Sequence, residues 1–321
     1  MNTVMNARVS LANIEAAARL IDPLFTNTPQ FINESLSARV GTRLVCKVET
    51  VNPLRSFKGR GADYFITSLR EKPRRLVCAS AGNFGQGLAF AARKHGLALE
   101  VFAAEQANPL KVAQMRRLGA TVRLAGNDLD AAKEAAKAYA AEHQMCFVED
   151  GHEVAITEGA GTIGLELSRW PEPLAAVLVP VGNGALINGI GAWLKSMQPT
   201  TKVIGVCASG APAMERSWRT GQLCTTDGVE TIADGIAVRL PIATALQDMA
   251  AVVDEMILVE DETIRTAMRL LFDELGLVIE PAGAAGVAAL LQLPARFAGQ
   301  TIATVLCGGN LTERQRREWL F

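Results

Sequence analysis

The chain is organised around residues 52–62, which read Asn52-Pro-Leu-Arg-Ser-Phe-Lys-Gly-Arg-Gly-Ala62. The apolar run Leu44–Val48 precedes this stretch and is typical of a β-strand. Apolar residues recur at helical spacing after it, which predicts a helix with Ser56 as its N-cap. Lys58 then falls in the first turn, where the helix macrodipole disfavours a positive charge.

A lysine in this position can act as a nucleophile, because a neutral amine attacks carbonyl groups and forms Schiff bases. The alternative is a surface lysine whose aliphatic stem lies along the helix. Position alone favours that alternative. The case for chemistry at Lys58 therefore depends on the rest of the chain.

The composition excludes several classes of protein. Lysine and arginine number 32 against 33 acidic residues, so the chain has no charge excess for binding nucleic acid or an anionic membrane. Residues 174–194 are uncharged, but Pro180 and four glycines favour a strand, a turn and a helix over a membrane span. Six dispersed cysteines and the absence of an apolar core in Met1–Ser10 predict a reduced, cytoplasmic protein.

Strand-like and helix-like segments alternate from residue 75 onward, which is the pattern of α/β proteins with parallel sheets. Four short strands with three helices between them predict one compact lobe at residues 74–149. The alternation then resumes. We predict two doubly wound α/β lobes, a small substrate-side domain (74–149) inserted into a large cofactor-binding domain (1–73 and 150–321).

Three predicted strands end in glycine-rich loops, and ligands of open α/β sheets bind beyond such ends. Ser80–Gly87 suits a carboxylate or phosphate, although strand-to-helix packing alone would also account for its glycines. Gly182–Gly189 suits a phosphate. It does not fit a nicotinamide dinucleotide, because Ile187 replaces the third glycine and the next strand ends in Cys207 instead of an acid. The third loop is Cys307–Asn310.

Two anion-binding loops and a nucleophilic lysine together predict pyridoxal 5'-phosphate, a phosphorylated cofactor that reacts with amines. Six motifs also occur in the order found in one enzyme family. They are Ser56-Phe-Lys-Gly-Arg-Gly-Ala62, Ser80-Ala-Gly-Asn83, Gly182-Asn-Gly-Ala-Leu186, Thr231-Ile-Ala-Asp-Gly235, Glu280-Pro-Ala-Gly283 and Cys307-Gly-Gly-Asn310. From about residue 25 to 312 the chain resembles the pyridoxal-phosphate enzymes of fold type II, specifically the threonine/serine dehydratases and serine racemases.

This resemblance implies roles for individual residues. Lys58 would form the Schiff base with the cofactor and then remove the Cα proton of the substrate. Asn83 would bond the cofactor's 3-hydroxyl, and Cys307 would face its pyridine nitrogen. The other implied cofactor contacts are Phe57, Gly182, Asn183, Gly184, Ala185, Leu186 and Glu280. The implied substrate contacts are Ser80, Ala81, Gly82, Asn83 and Phe84.

Three departures from the family pattern refine these expectations. Phe84 stands where many relatives have histidine, which makes the substrate side of the loop more apolar. Ala81 stands where racemases carry a serine that serves as a second acid or base. Cys207 and Ala213 stand where the racemases place metal-binding acids, so no metal is expected.

The expected activity is β-elimination from a β-hydroxy L-amino acid such as threonine or serine, with release of a 2-oxo acid and ammonia. The resemblance also implies a homodimer that acts on a small amino-acid substrate. A racemase or a threonine-synthase-like β-replacement enzyme of the same fold stays open. A catalytically inactive binding protein is disfavoured by the intact Lys58.

Overall fold

The computed structural model describes residues 8–321. The stretch Met1–Ser10, whose lack of an apolar core contributes to the expectation of a cytoplasmic protein, consists mostly of residues 1–7. Those seven residues lie outside the described range. The strands are β1 (Gln30–Ile32), β2 (Arg43–Val48), β3 (Arg75–Ala79), β4 (Ala98–Ala103), β5 (Thr121–Leu124), β6 (Cys146–Phe147), β7 (Ala176–Pro180), β8 (Lys202–Ala208), β9 (Glu255–Val259) and β10 (Thr301–Leu306). The helices are α1 (Leu11–Leu20), α2 (Glu34–Val40), α3 (Lys58–Ser68), α4 (Asn83–Lys94), α5 (Pro109–Arg117), α6 (Leu129–Glu142), α7 (Val154–Leu167), α8 (Ala185–Met197), α9 (Ala213–Thr220), α10 (Ala243–Ala250), α11 (Asp261–Leu275), α12 (Pro281–Gln292), α13 (Pro294–Phe297) and α14 (Glu313–Leu320).

The strands form two sheets. The larger sheet has the order β1-β2-β10-β7-β8-β9, and in it β1 alone runs antiparallel to its neighbour. The smaller sheet has four parallel strands in the order β5-β4-β3-β6. This architecture confirms the predicted α/β fold with parallel sheets. The strands of the smaller sheet fall within residues 75–147, and the predicted domain limits stay a prediction.

The centre of the larger sheet is buried on both faces, as parallel strands covered by helices require. Every residue of β7 is buried, and so is every residue of β10 after Thr301. The covering helix α12 is buried from Pro281 to Leu290, a stretch made largely of alanine and glycine. The small side chains let the helix lie close to the sheet.

Helix α3 is held by close backbone contacts with two neighbouring helices. A Cβ atom on Gly87 of α4 would lie 2.8 Å from the carbonyl oxygen of Lys58. A Cβ atom on Gly61 would lie 2.6 Å from the carbonyl oxygen of Ile156 in α7. Any side chain at either glycine would therefore displace α3 and, with it, Lys58.

The structure corrects two features of the prediction. Helix α3 has Phe57 as its N-cap instead of Ser56, whose hydroxyl accepts a 3.3 Å hydrogen bond from the Lys58 N–H. The sequence pattern also missed β1, α2, α10, α13 and α14. Each spans eight residues or fewer, too short to repeat a hydrophobic period clearly.

The uncharged segment 174–194 forms β7, a glycine-rich turn and the first part of α8, as predicted. Across residues 8–321, no helix combines the length and apolar character needed to cross a bilayer.

Candidate active site

A cavity of about 400 Å³ lies where the carboxyl ends of β3, β6, β7 and β10 meet. The structure brings every predicted site residue to its wall. They are Phe57, Lys58, Ser80, Ala81, Gly82, Asn83, Phe84, Gly182, Asn183, Gly184, Ala185, Leu186, Glu280 and Cys307. Segments far apart in the chain thus share one site, because the carboxyl ends of strands from both parallel sheets face the same cavity.

Lys58 is the first residue of α3 and points into the cavity. Its side chain is 17% exposed, and its Nζ lies 2.5 Å from Oδ2 of Asp150. The same Nζ lies 4.7 Å from the ring centroid of Phe57 and 5.9 Å from that of Phe84. The alternative of a surface lysine is therefore wrong.

The start of α8 forms an anion-binding corner of the cavity. Gly184 precedes the helix with φ of +95°, a left-handed conformation that suits glycine. A Cβ atom on Gly182 would lie 2.9 Å from the carbonyl oxygen of Gly235, so the loop also needs glycine there. The backbone N–H groups of Ala185 and Leu186 begin the helix, where the helix dipole favours a negative charge.

A network of hydrogen bonds fixes Asn83 at the cavity wall. Its Nδ2 donates to Oε1 of Glu280 at 2.7 Å, and its Oδ1 accepts from Nδ2 of Asn310 at 2.9 Å. The Asn310 N–H donates to Oε2 of Glu280 at 3.1 Å. Burial raises the pKa of the Glu280 carboxyl to about 7, an effect that Lys111 opposes and Asp234 strengthens. Asn83 is thereby held in one orientation.

Cys307 follows β10 and is buried at the cavity wall. Burial raises the pKa of its thiol well above the ordinary value, with Glu280 adding to the effect and Lys58 opposing it. The side chain is accordingly a neutral thiol in the physiological range. A neutral group at this position agrees with the role that the resemblance implies for Cys307, and that role stays a prediction.

The sequence profile of the pyridoxal-phosphate dependent enzymes matches residues 21–308. The chain belongs to this family. The L-threonine ammonia-lyase of Thermotoga maritima is 37% identical over 305 residues, which cover 94% of this chain and 76% of that protein. The phenylserine dehydratase of Ralstonia pickettii is 35% identical over 286 residues, 88% of this chain and 87% of its own. The solved structure of maize serine racemase has a TM-score of 0.90 and 25% identity, covering 97% of this chain and 96% of its own.

The cavity of this pyridoxal-phosphate enzyme fits the cofactor of its family, as predicted. Lys58 provides an enclosed primary amine, and the start of α8 provides backbone N–H groups for a phosphate. Gly182 and Gly184 add no side chain to the anion-binding corner, and Cys307 also lines the cavity.

The hydroxyl of Ser80 organises the loop of this enzyme that follows β3. Its Oγ accepts hydrogen bonds from the N–H groups of Gly82 at 3.2 Å and Gly85 at 2.9 Å. Among residues 8–321, no protein acceptor takes the backbone N–H groups of Asn83 and Phe84 at the start of α4. These two N–H groups therefore stand ready for a carboxylate, while Ser80 shapes the loop that presents them.

The sequence motifs indicated Lys58 and Glu280 but not the other charged residues of the cavity. Asp150 contacts Lys58, Lys111 forms an ion pair with Asp234, and Arg239, between α9 and α10, bonds Asp130. Only Asp234 among these residues lies inside a quoted motif, Thr231–Gly235. That motif was the one feature of the sequence that could have indicated a charged residue of this group. Within the described range, no three His, Cys, Asp or Glu residues are grouped to hold a metal ion.

Proposed function

We propose that this enzyme eliminates water from a β-hydroxy L-amino acid such as threonine or serine and releases a 2-oxo acid and ammonia. The observation that carries the proposal is the enclosed amine of Lys58, which faces one loop suited to phosphate and another suited to carboxylate. The relative from Thermotoga maritima, named L-threonine ammonia-lyase, supports the choice of reaction.

Pyridoxal phosphate, when bound, supplies an aldehyde that captures amines and a conjugated ring that accepts electrons from the substrate Cα. Lys58 would hold it through its amine, and Ala185 and Leu186 would bind its phosphate through their N–H groups. Asn83 would bond its 3-hydroxyl in the orientation set by Glu280. Lys58 then removes the Cα proton as the general base.

The substrate carboxylate binds the N–H groups of Asn83 and Phe84 in this proposal, with Ala81 and Gly82 beside it in the loop. Cys307, a neutral thiol, would face the pyridine nitrogen. A neutral partner there would limit the ring as an electron sink, which suits β-elimination. Phe57 packs beside Lys58 and restricts the positions that its amine can take.

The test is product analysis. The purified, cofactor-loaded enzyme is incubated with L-threonine and, separately, with L-serine. We expect 2-oxobutanoate or pyruvate together with one equivalent of ammonia, and no D-serine on chiral chromatography, because the methyl group of Ala81 cannot donate a proton. D-serine formed at a rate comparable to pyruvate would favour the racemase alternative. Threonine formed from O-phosphohomoserine would favour the β-replacement alternative.

A second candidate substrate is 3-phenylserine. Phe84 is 6% exposed and lines the cavity, so an aromatic surface faces the space for the substrate. The phenylserine dehydratase of Ralstonia pickettii, 35% identical to this chain, agrees with such a preference. Comparison of kcat/KM for 3-phenylserine, threonine and serine decides among these substrates.

We also propose that the enzyme is a homodimer that works in the cytoplasm in amino-acid catabolism. All six cysteines are unpaired thiols in the structure, in keeping with a reducing compartment. The homodimer is what the family resemblance implies, and the exposed apolar side chains of Leu20, Leu24, Val51 and Leu110 are candidates for contact with a second copy. Light scattering of the purified enzyme would give the mass of a dimer.

A further inference from the structure

Asp150 lies in the loop between β6 and α7, at the edge of the cavity. The next residue, Gly151, has φ of +87°, and a Cβ atom there would overlap the carbonyl oxygen of Asn183. The loop therefore packs tightly against the anion-binding corner at the start of α8. Asp150 is held in place by backbone contacts that any larger residue at position 151 would break.

The two oxygens of the Asp150 carboxylate have different surroundings. Oδ2 lies 2.5 Å from Nζ of Lys58. Oδ1 is buried and has no hydrogen-bond partner among residues 8–321, although the side chain as a whole is 13% exposed and lines the cavity. A buried acceptor without a donor is costly, so a carboxylate in this state calls for a partner.

The other cations of the cavity already have acidic partners. Lys133 lies 2.9 Å from Glu149, Arg239 lies 2.7 Å from Asp130, and Lys111 is paired with Asp234. Lys58 is therefore the cation that faces Asp150. Glu280, the other buried carboxyl of the cavity, is occupied by hydrogen bonds from Asn83 and Asn310.

Loss of a β-hydroxyl group needs a proton, because hydroxide is a poor leaving group. In the proposed reaction Lys58 gains a proton from the substrate Cα, and that proton must leave Lys58 before the next turnover. A carboxylate at the edge of the cavity whose Oδ2 lies at hydrogen-bond distance from Lys58 can accept the proton and hand it on.

We propose that Asp150 is the general acid of the elimination, an inference that rests on the proposed function. Lys58 takes the proton from Cα, Asp150 takes it from Lys58, and the β-hydroxyl takes it from Asp150 and leaves as water. The Cα–H and Cβ–O bonds break, a double bond forms between Cα and Cβ, and both side chains return to their starting state.

A change of leaving group tests this proposal. Chloride leaves without a proton, so β-chloro-L-alanine yields pyruvate with no general acid, whereas L-serine yields pyruvate only with one. In Asp150→Asn we expect kcat for L-serine to fall by about 10²–10⁴-fold. We expect kcat for β-chloro-L-alanine to change less than about 10-fold. Asp150→Glu, which keeps a carboxyl group, should recover part of the serine activity.

Glu149→Gln is the matched control. It removes one negative charge from the same loop, but Glu149 pairs with Lys133 and not with Lys58. The ratio of serine to chloroalanine turnover should stay at the wild-type value. A measurement independent of turnover is also needed. Borohydride reduction followed by mass spectrometry should show the cofactor attached to Lys58 to the same extent in wild type and Asp150→Asn.

Three outcomes would overturn the proposal: equal loss with both substrates, which would make Asp150 a positioning residue for Lys58; no loss with either; or loss of the trapped cofactor. Failure of the proposed function looks different. Wild-type enzyme would then form pyruvate from β-chloro-L-alanine but no 2-oxo acid from serine or threonine.

Discussion

Lys58 and Arg60 lie two residues apart in α3, yet they face different regions of the molecule. Lys58 faces the cavity, with Asp150 as its ion-pair partner and 17% of its side chain exposed. Arg60 is fully buried in a group of six residues that we call the buried charge cluster. The cluster consists of Thr28, Lys47, Glu49, Arg60, Thr162 and Glu166.

The cluster satisfies its charges completely. The Arg60 guanidinium donates to both oxygens of Glu49 at 2.8 Å and to Glu166 at 2.6 and 2.9 Å. Lys47 donates to Glu166 at 2.5 Å and to the Thr28 carbonyl oxygen at 2.7 Å. Two cations thus balance two carboxylates. A fully partnered buried charge has a structural role, whereas a partly partnered charge beside a cavity is available for chemistry.

The largest effect should follow replacement of Lys58. Lys58→Ala should lower turnover by about 10⁴-fold or more, because it removes both the amine that holds the cofactor and the general base. Lys58→Arg keeps a cation beside Asp150 and should be equally inactive. Thermal melting of both variants should stay close to that of wild type. Wild-type turnover in Lys58→Ala would refute the assignment.

Arg60→Met should have the opposite effect to Lys58→Ala, because it should lower the stability of the fold. It leaves Glu49 and Glu166 buried with too few cations, and breaking a buried ion pair in this way costs about 3–5 kcal/mol of unfolding free energy. Urea denaturation measures the loss. Arg70→Met, at an exposed position just after α3, should stay within about 0.5 kcal/mol of wild type. A cost below about 1 kcal/mol for Arg60→Met would show that the cluster is not structural.

A fall in pH should weaken the buried charge cluster, by protonating Glu166, before it weakens the apolar cores of the two sheets. Burial alone would raise the pKa of Glu166, but Arg60 and Lys47 lower it from 4.5 to about 2. Its stabilising contribution, about 3 kcal/mol, is therefore complete above pH 4.5 and is lost as the pH falls toward 2. The urea midpoint of Glu166→Gln should vary less over that interval than that of wild type. Glu134→Gln, on the exposed face of α6, should keep the wild-type slope.

The smallest effects are expected at Phe84, which lines the cavity and also packs in a hydrophobic core beside the smaller sheet. Phe84→Leu should lower the unfolding free energy by less than about 1.5 kcal/mol. It should also lower the kcat/KM ratio of 3-phenylserine to serine by about 10-fold. Phe90→Leu is the control. Phe90 lies in α4 like Phe84, but it packs on Phe25 away from the cavity. An unchanged ratio in Phe84→Leu would remove Phe84 from substrate selection.

The sequence alone was sufficient for the fold class, for most helices and strands, and for 14 of the residues that line the cavity. These features depend on hydrophobic periodicity and on glycine-rich motifs, in which the informative residues are neighbours along the chain. Lys58 could be identified because its motif occurs together with glycine-rich loops after other strands, although its position alone favours a surface lysine. Short elements such as β1 and α14 escaped because they contain too few repeats of any pattern.

Only the tertiary structure decided which charges meet. Asp150 lies 92 residues from Lys58 in sequence, and Glu280 lies 197 residues from Asn83. Both pairs exist because the carboxyl ends of β3 and β6 in the smaller sheet and of β7 and β10 in the larger sheet face the same cavity. The same folding buries Arg60 and leaves Lys58 at the cavity, although both belong to one motif. The physical reason is that an ion pair depends on distance in space and on exclusion of water, and neither quantity is encoded in local spacing.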